Sequence, residues 1–331
     1  MNKINLNNLF DLKEDMKALG ASEQSLNQLE ENIRKGSASF EILESKQVLN
    51  GHIDIRYPIK TSDPEKGYYF SNFKAQFYGV KPLEEGHSYF LITPNGEGKN
   101  DTKKFDHPME AIEQFKKRDR DCELVVGKSV TSNSLVAKRE KNEVVVTRDY
   151  RNALFGKPTE QTFYCQEGKG FTVQQAANLV QGRSVFRDDL ATRQGEKYQA
   201  WVNLDTEKGK TGQNFQLKTY RDPAYGFDLK NVLKDYNIKF LKNAPNQPQN
   251  LTELETALRN GDKPIIGASN KGVDMELQLE TAVRFRKMNF FKLDGTPEKR
   301  ELFLTKEAQV TLAQNTKAKE NDLSEAQGLT R

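Results

Sequence analysis

The chemistry most legible in this chain is cationic and aromatic. Arg284-Phe285-Arg286-Lys287-Met288-Asn289-Phe290-Phe291-Lys292 places four cations and three aromatic rings in nine positions. Phosphate contacts combined with base stacking need this mixture. On a strand, Arg284, Arg286, Met288 and Phe290 would share one face, and Phe285, Lys287, Asn289 and Phe291 the other. An amphipathic core strand, with Phe285 and Phe291 turned inward, accounts for the same pattern. A second basic run, Lys116-Lys117-Arg118-Asp119-Arg120, ends a helical stretch, where cations meet the negative end of the dipole. A solvated helix end is its plain reading. The residues expected to meet a partner are therefore Arg284, Arg286, Lys287, Phe290 and Lys292, together with Lys116, Lys117, Arg118 and Arg120.

Other chemistries find less material. His52, His87 and His107 are not spaced as metal ligands with one another or with a cysteine, and Cys122 and Cys165 stand 43 positions apart. No Gly-x-Ser-x-Gly elbow, phosphate-binding Walker loop or dinucleotide fingerprint occurs. Gly168-Lys169-Gly170 precedes a capped helix and could present N–H groups to a phosphate, although a turn into that helix explains it equally. A metal-dependent nuclease would need an acid-x-Lys pair beside a further carboxylate. Glu167-Gly168-Lys169 with Asp149 upstream has that form, but roughly four acid-x-Lys matches arise by chance at this composition. Asp188-Asp189 reads as a solvated turn. No catalytic residue, metal or cofactor is expected.

The elements that must position these residues alternate between the two hydrophobic periods. Leu9, Leu12, Met16 and Leu19 mark a first helix, and Ser22 caps a second carrying Leu26, Leu29 and Ile33. Ile53, Ile55, Tyr57 and Ile59 alternate as a strand, Thr61–Gly67 reads as a turn, and an aromatic strand spans 68–78. Residues 80–158 give a β-α-β-β-β pattern: Ser88–Thr93, a helix opened by Pro108, then Glu123–Val126, Ser134–Lys138 and Glu143–Thr147. In the second half, Thr172 and Gln175 form a capping-box signature for a helix over Val173–Gln181. Strands Thr162–Cys165, Tyr198–Leu204, Phe215–Tyr220, one around Ile265, Met275–Leu279 and Val283–Leu293 flank helices at 229–236 and 251–259.

The fold class expected is α+β, built of small helix–hairpin–sheet modules. Leu29-Glu30-Glu31-Asn32-Ile33-Arg34-Lys35-Gly36 and Leu254-Glu255-Thr256-Ala257-Leu258-Arg259-Asn260-Gly261 share the pattern Leu-Glu-x-x-apolar-Arg-x-Gly, which points to a duplication. Aligning Gly51 with Gly272 downstream leaves the two strand registers one residue apart. The boundaries read as 1–79, an inserted module at 80–158, a third domain at 159–314 and a flexible polar tail at 315–331.

Composition fits several small cores. Of 331 residues, 51 are basic and 47 acidic, giving a net charge of +4, and the hydrophobic set is 35%. A single large core would be richer in apolar residues. No run is long enough to span a bilayer, so no membrane partner is expected. The two cysteines are no disulfide framework, which points to a reducing cytoplasm. Near-neutrality conceals local basicity, since 281–306 holds seven cations against three acids.

Several blocks in order resemble an uncharacterised domain family of Bacteroidetes conjugative transposons and plasmids. They are Tyr69-Phe70-Ser71-Asn72-Phe73-Lys74-Ala75, Gln161-Thr162-Phe163-Tyr164, Gly168-Lys169-Gly170-Phe171-Thr172, Asn178-Leu179-Val180-Gln181-Gly182-Arg183-Ser184-Val185, Tyr198-Gln199-Ala200-Trp201 and Tyr225-Gly226-Phe227-Asp228-Leu229. The resemblance runs to about residue 300 and is interrupted by 80–158. It implies a mobile-element context near topoisomerase, mobilisation and anti-restriction genes, and supplies no catalytic residues. The function expected is a non-enzymatic accessory protein that binds DNA, RNA or a nucleoprotein complex. The alternatives are a protein-binding inhibitor of a host defence system and a divergent nuclease using Glu167 and Lys169.

Overall fold

The computed structural model describes residues 5–314 apart from 64–66, 82, 97, 142, 148–154, 242–243, 245 and 271, and for residues 62 and 63 the backbone alone. The protein is α+β and divides into two compact units, Met1–Gly170 and Phe171–Arg331. The tail at 315–331 and Asp149 lie outside the described residues.

In the first unit, helices α1 (Leu6–Ala18) and α2 (Glu23–Arg34) start at Asn5 and Ser22, whose side chains accept from backbone N–H groups three positions on. Leu9, Leu12 and Met16 on one helix and Leu26, Leu29 and Ile33 on the other turn inward. Strands β1 (Ser39–Val48), β2 (Gly51–Asp63), β3 (Gly67–Tyr69) and β4 (Asn72–Gly79) come next. The aromatic stretch at 68–78 is thus two strands, broken at Phe70-Ser71. Ile53, Ile55, Tyr57 and Ile59 are buried as their alternation requires, and Tyr57 packs near Phe73.

The chain then builds β5 (Ser88–Pro94), β6 (Asn100–Phe105), α3 (Pro108–Lys116), β7 (Cys122–Gly127), β8 (Asn133–Glu140) and β9 (Glu143–Val146). These strands form their own antiparallel sheet in the order β6-β5-β7-β8-β9. One face carries α3 and a core that includes Tyr89, Leu91, Phe105, Ile112, Phe115, Leu124 and Phe155. The segment contains one strand more than its alternation suggested, because β6 buries only Phe105. It leaves and rejoins the first sheet at one point, where Val80 bridges Phe155 and the Gly156 N–H donates to the Gly79 carbonyl at 2.8 Å. Strand β10 (Thr159–Gln166) then pairs with β4, and β11 (Lys169–Gly170) turns back on it, giving the order β1-β2-β4-β10-β11. Residues 159–170 therefore belong with the first unit rather than with the second.

The second unit opens with α4 (Val173–Val180), whose capping box between Thr172 and Gln175 is formed. Strands β12 (Val185–Ala191) and β13 (Lys197–Leu204) come next, then the small hairpin β14 (Lys210–Thr211) and β15 (Asn214–Phe215), and β16 (Leu217–Asp222). Asp188-Asp189 is not a turn but a bulge within β12, with Arg187 ion-paired to Asp189. After α5 (Leu229–Lys234), β17 (Ile238–Lys239) and α6 (Leu251–Arg259) come β18 (Ile265–Asn270), β19 (Val273–Ala282), β20 (Lys287–Phe291) and β21 (Pro297–Glu298). A last helix covers 306–314. One core joins the sheets β12-β13-β16 and β17-β18-β19-β20-β21: Trp201, Tyr220 and Phe227 lie in a cluster with Leu254, Leu258, Leu277, Leu279, Phe290 and Phe303.

Among the described residues, a helix is four times followed by three strands that pair antiparallel in chain order. They are α2 with β1, β2 and β4; α3 with β7, β8 and β9; α4 with β12, β13 and β16; and α6 with β18, β19 and β20. In the first and last, the hairpins close at Val48–Gly51 and Asn270–Val273. Superposing those pairs sets Gly51 against Val273, not Gly272. Ile55 with Leu277, Tyr57 with Leu279 and Ile59 with Thr281 then coincide, and all six are buried. The one-residue mismatch of the glycine alignment disappears.

Candidate nucleic-acid interface

The segment 284–292 is not one strand. Strand β19 ends at Ala282, Val283–Phe285 make a single 3-10 turn, Arg286 adopts φ 53°, and β20 begins at Lys287. The left-handed residue resets the alternation. Consequently Met288 and Phe290 are the core-facing pair, at 0% and 1% exposure, and Phe290 cannot offer a face to a base. Phe290 instead stacks on Phe303 at 4.9 Å. Phe285, which an amphipathic strand would bury, is 65% exposed.

The result is an exposed tip that carries Arg284, Phe285, Arg286 and Lys287. Its base is fixed. Val283 is buried in the core, the Arg286 N–H donates to the Val283 carbonyl at 3.0 Å, and the Tyr225 hydroxyl donates to the Arg284 carbonyl at 2.9 Å. The Arg286 guanidinium lies 4.8 Å from the centre of the Tyr225 ring, and the Arg284 guanidinium is 5.9 Å from that of Phe285. Arg284 also meets Glu207 at 3.4 Å, an exposed pair that contributes little energy. On the neighbouring sheet, Arg221 sits 4.6 Å over the Tyr198 ring. Burial, then the adjoining Tyr225, pushes the Tyr220 hydroxyl above its ordinary range.

The other expected residues lie on other elements. Lys292 comes after β20 and pairs with Glu298 at 3.3 Å. Lys116, Lys117, Arg118 and Arg120 lie at and beyond the end of α3, in the first unit. Lys117 is held by Glu113 at 2.6 Å, Arg118 is half-buried, and Lys116 and Arg120 are exposed.

Within the second unit, much of the sequence pattern that carried the family resemblance is structural. Phe227 is core, Asp228 caps α5, and Tyr225 clamps residue 284. The Asn178 amide nitrogen donates at 2.8 Å to the Asn260 carbonyl and to Asp262 Oδ1, while Arg183 Nη1 donates to Asn178 Oδ1 at 2.8 Å. Burial pulls the Arg183 guanidinium below its usual range, against the opposing effects of Glu280 and Asp262. Gly261 must lack a side chain here: φ is 82°, and a Cβ would meet the Ser184 carbonyl at 2.8 Å.

The remaining candidates have local explanations. Glu167 and Gly168 form the turn between β10 and β11, where Gln166 pairs with Lys169. His107 accepts the Met109 N–H at the start of α3, and the His52 ring stacks on Tyr78 at 4.5 Å. Among the described residues, no group of three His, Cys, Asp or Glu could hold a metal ion, and no helix is long and apolar enough to cross a membrane. Comparison with protein-family models, with curated proteins and with solved structures finds no match to this chain.

Proposed function

We propose that this chain is a non-enzymatic nucleic-acid-binding protein that grips a single strand through the tip at 284–287. The observation that carries this reading is Phe285, 65% exposed and flanked by three exposed cations on an anchored turn. A bulky ring left in water beside cations offers a stacking platform with phosphate contacts. Three cations contacting three phosphates of a single strand give log K against log salt a slope of about −2. Phe285→Ala should cost about 1–3 kcal/mol of binding. A salt-titrated fluorescence-anisotropy measurement on short DNA and RNA strands tests both. No binding at low salt refutes the reading.

A second reading, a protein-binding inhibitor of host defence, is favoured by the edge strand β9. Val144, Val145 and Val146 are 48%, 58% and 51% exposed on it. Among the described residues no strand pairs with the outer edge of β9, and an apolar edge invites an added strand. Capture of a host protein that survives nuclease and is lost in Val145→Lys supports this reading; capture abolished by nuclease counts against it.

The mobile-element context and cytoplasmic setting belong to the same proposal and rest on the resemblance described above. The helix–meander unit is proposed to be a duplicated module. This is supported by Leu29 and Leu254, both fully buried, and by the coincident burial of the two hairpins.

A further inference from the structure

Beside the tip lies a cleft of about 270 Å³, wholly within the second unit, with Phe285 and Arg284 at its rim and Ser184, Asn203, Asp205, Tyr220 and Thr281 among its lining residues. Apart from the rim, its walls are unusually polar for groups so enclosed. Asp205, Ser184, Thr281 and Tyr220 are each exposed by 8% or less. Ser184 donates to Asn203 Oδ1 at 2.9 Å. Among the described residues, the Asp205 carboxylate is reached only by Lys208, whose Nζ is 3.2 Å from Oδ2 on a side chain 74% exposed. A carboxylate has about four acceptor sites, so this contact leaves Oδ1 and part of Oδ2 open. Asp205 lines the cleft, so a ligand that enters it can bring donors to these oxygens in place of water.

We infer that this cleft receives one unstacked base of the bound strand, and that the base is guanine. The inference rests on the tip's binding a single strand. Guanine alone among the common bases presents two adjacent donors, the ring N–H and the exocyclic amine, which match the two oxygens of one carboxylate. Thymine and uracil would turn carbonyls toward Asp205. Adenine and cytosine offer an amine beside an acceptor nitrogen. Phe285 at the rim stacks the neighbouring base, and Arg284 takes the phosphate between them.

The test uses the full chain with three fluorescent oligomers: oligothymidylate, the same strand with one central guanine, and the same strand with inosine there, which lacks the amine. The expected result is roughly tenfold tighter binding of the guanine strand than of the other two. Asp205→Asn should erase that preference, so that the guanine and inosine strands bind alike. Emission of the single tryptophan, Trp201 in the adjoining core, confirms that the variant is folded. Equal affinity for all three strands overturns the base pocket while the tip stands. Absence of binding to any strand at low salt overturns both. Displacement of a bound strand by argininamide but not by guanosine monophosphate also overturns the base pocket, assigning the cleft to the cationic side chain of a protein partner.

Discussion

Phe285 and Phe290 are five positions apart and have opposite fates, one in water and one in the core. Their alternation was legible; the break in it was not. A left-handed turn is usually announced by glycine or asparagine, and here Arg286 adopts it. The tip's chemistry is readable from residue types, but the pattern points to Phe290 as the exposed ring where the structure exposes Phe285. The two thiols permit a residue-scale prediction. Burial, then the nearby Asp15 charge, pushes Cys165 up to about 11, and burial also raises Cys122. A raised thiol holds less thiolate at pH 8, and the thiolate is the reactive form. Both cysteines should therefore react slowly with a chromogenic disulfide at pH 8 in the native protein, and both rapidly in denaturant. A fast native phase would contradict the burial.

Most helices and the central strands follow from their periods, and three strands that escape are edges. Strand β1 buries only Ile42, and β6 only Phe105. The third, β12, carries a bulge. Each ends its sheet in the orders β1-β2, β6-β5 and β12-β13. An edge strand has few neighbours to pack against, so it shows little alternation for the eye to find. On helix α1, Asp11 and Asp15 stand four residues apart, and burial, Asp11 and Glu167 together raise the Asp15 carboxyl. A raised acid opposes folding while it is ionised and ceases to do so once pH falls below its ordinary value. Asp15→Asn should therefore stabilise the protein by about 0.2–0.5 kcal/mol at pH 7. The gain should fade toward pH 3, as thermal melts at the two pH values would show.

Across the whole molecule, the low apolar content is accommodated by distributing the core. Residues 80–155 enclose a core of their own, and the second unit has another around Trp201. Because the excursion leaves and returns at Gly79 and Gly156, whose backbones are hydrogen-bonded at 2.8 Å, it is structurally a detour. Replacing 81–154 by an Asn-Gly turn should leave the remaining protein folded, with cooperative thermal unfolding by circular dichroism and unchanged Trp201 emission. Loss of cooperativity would show that the detour supports the sheet it leaves.

That detour also sets a clock. Strand β4 ends at Gly79 and its partner β10 begins at Thr159, so 80 positions separate them in synthesis. At about 5–20 residues per second, β4 waits on the order of 4–16 s with one hydrogen-bonding edge open. The intervening module pairs mostly with its chain neighbours, so it can close well within that time. Its early completion would bring Gly79 and Gly156 together and deliver β10 to the waiting edge, before another chain can claim it.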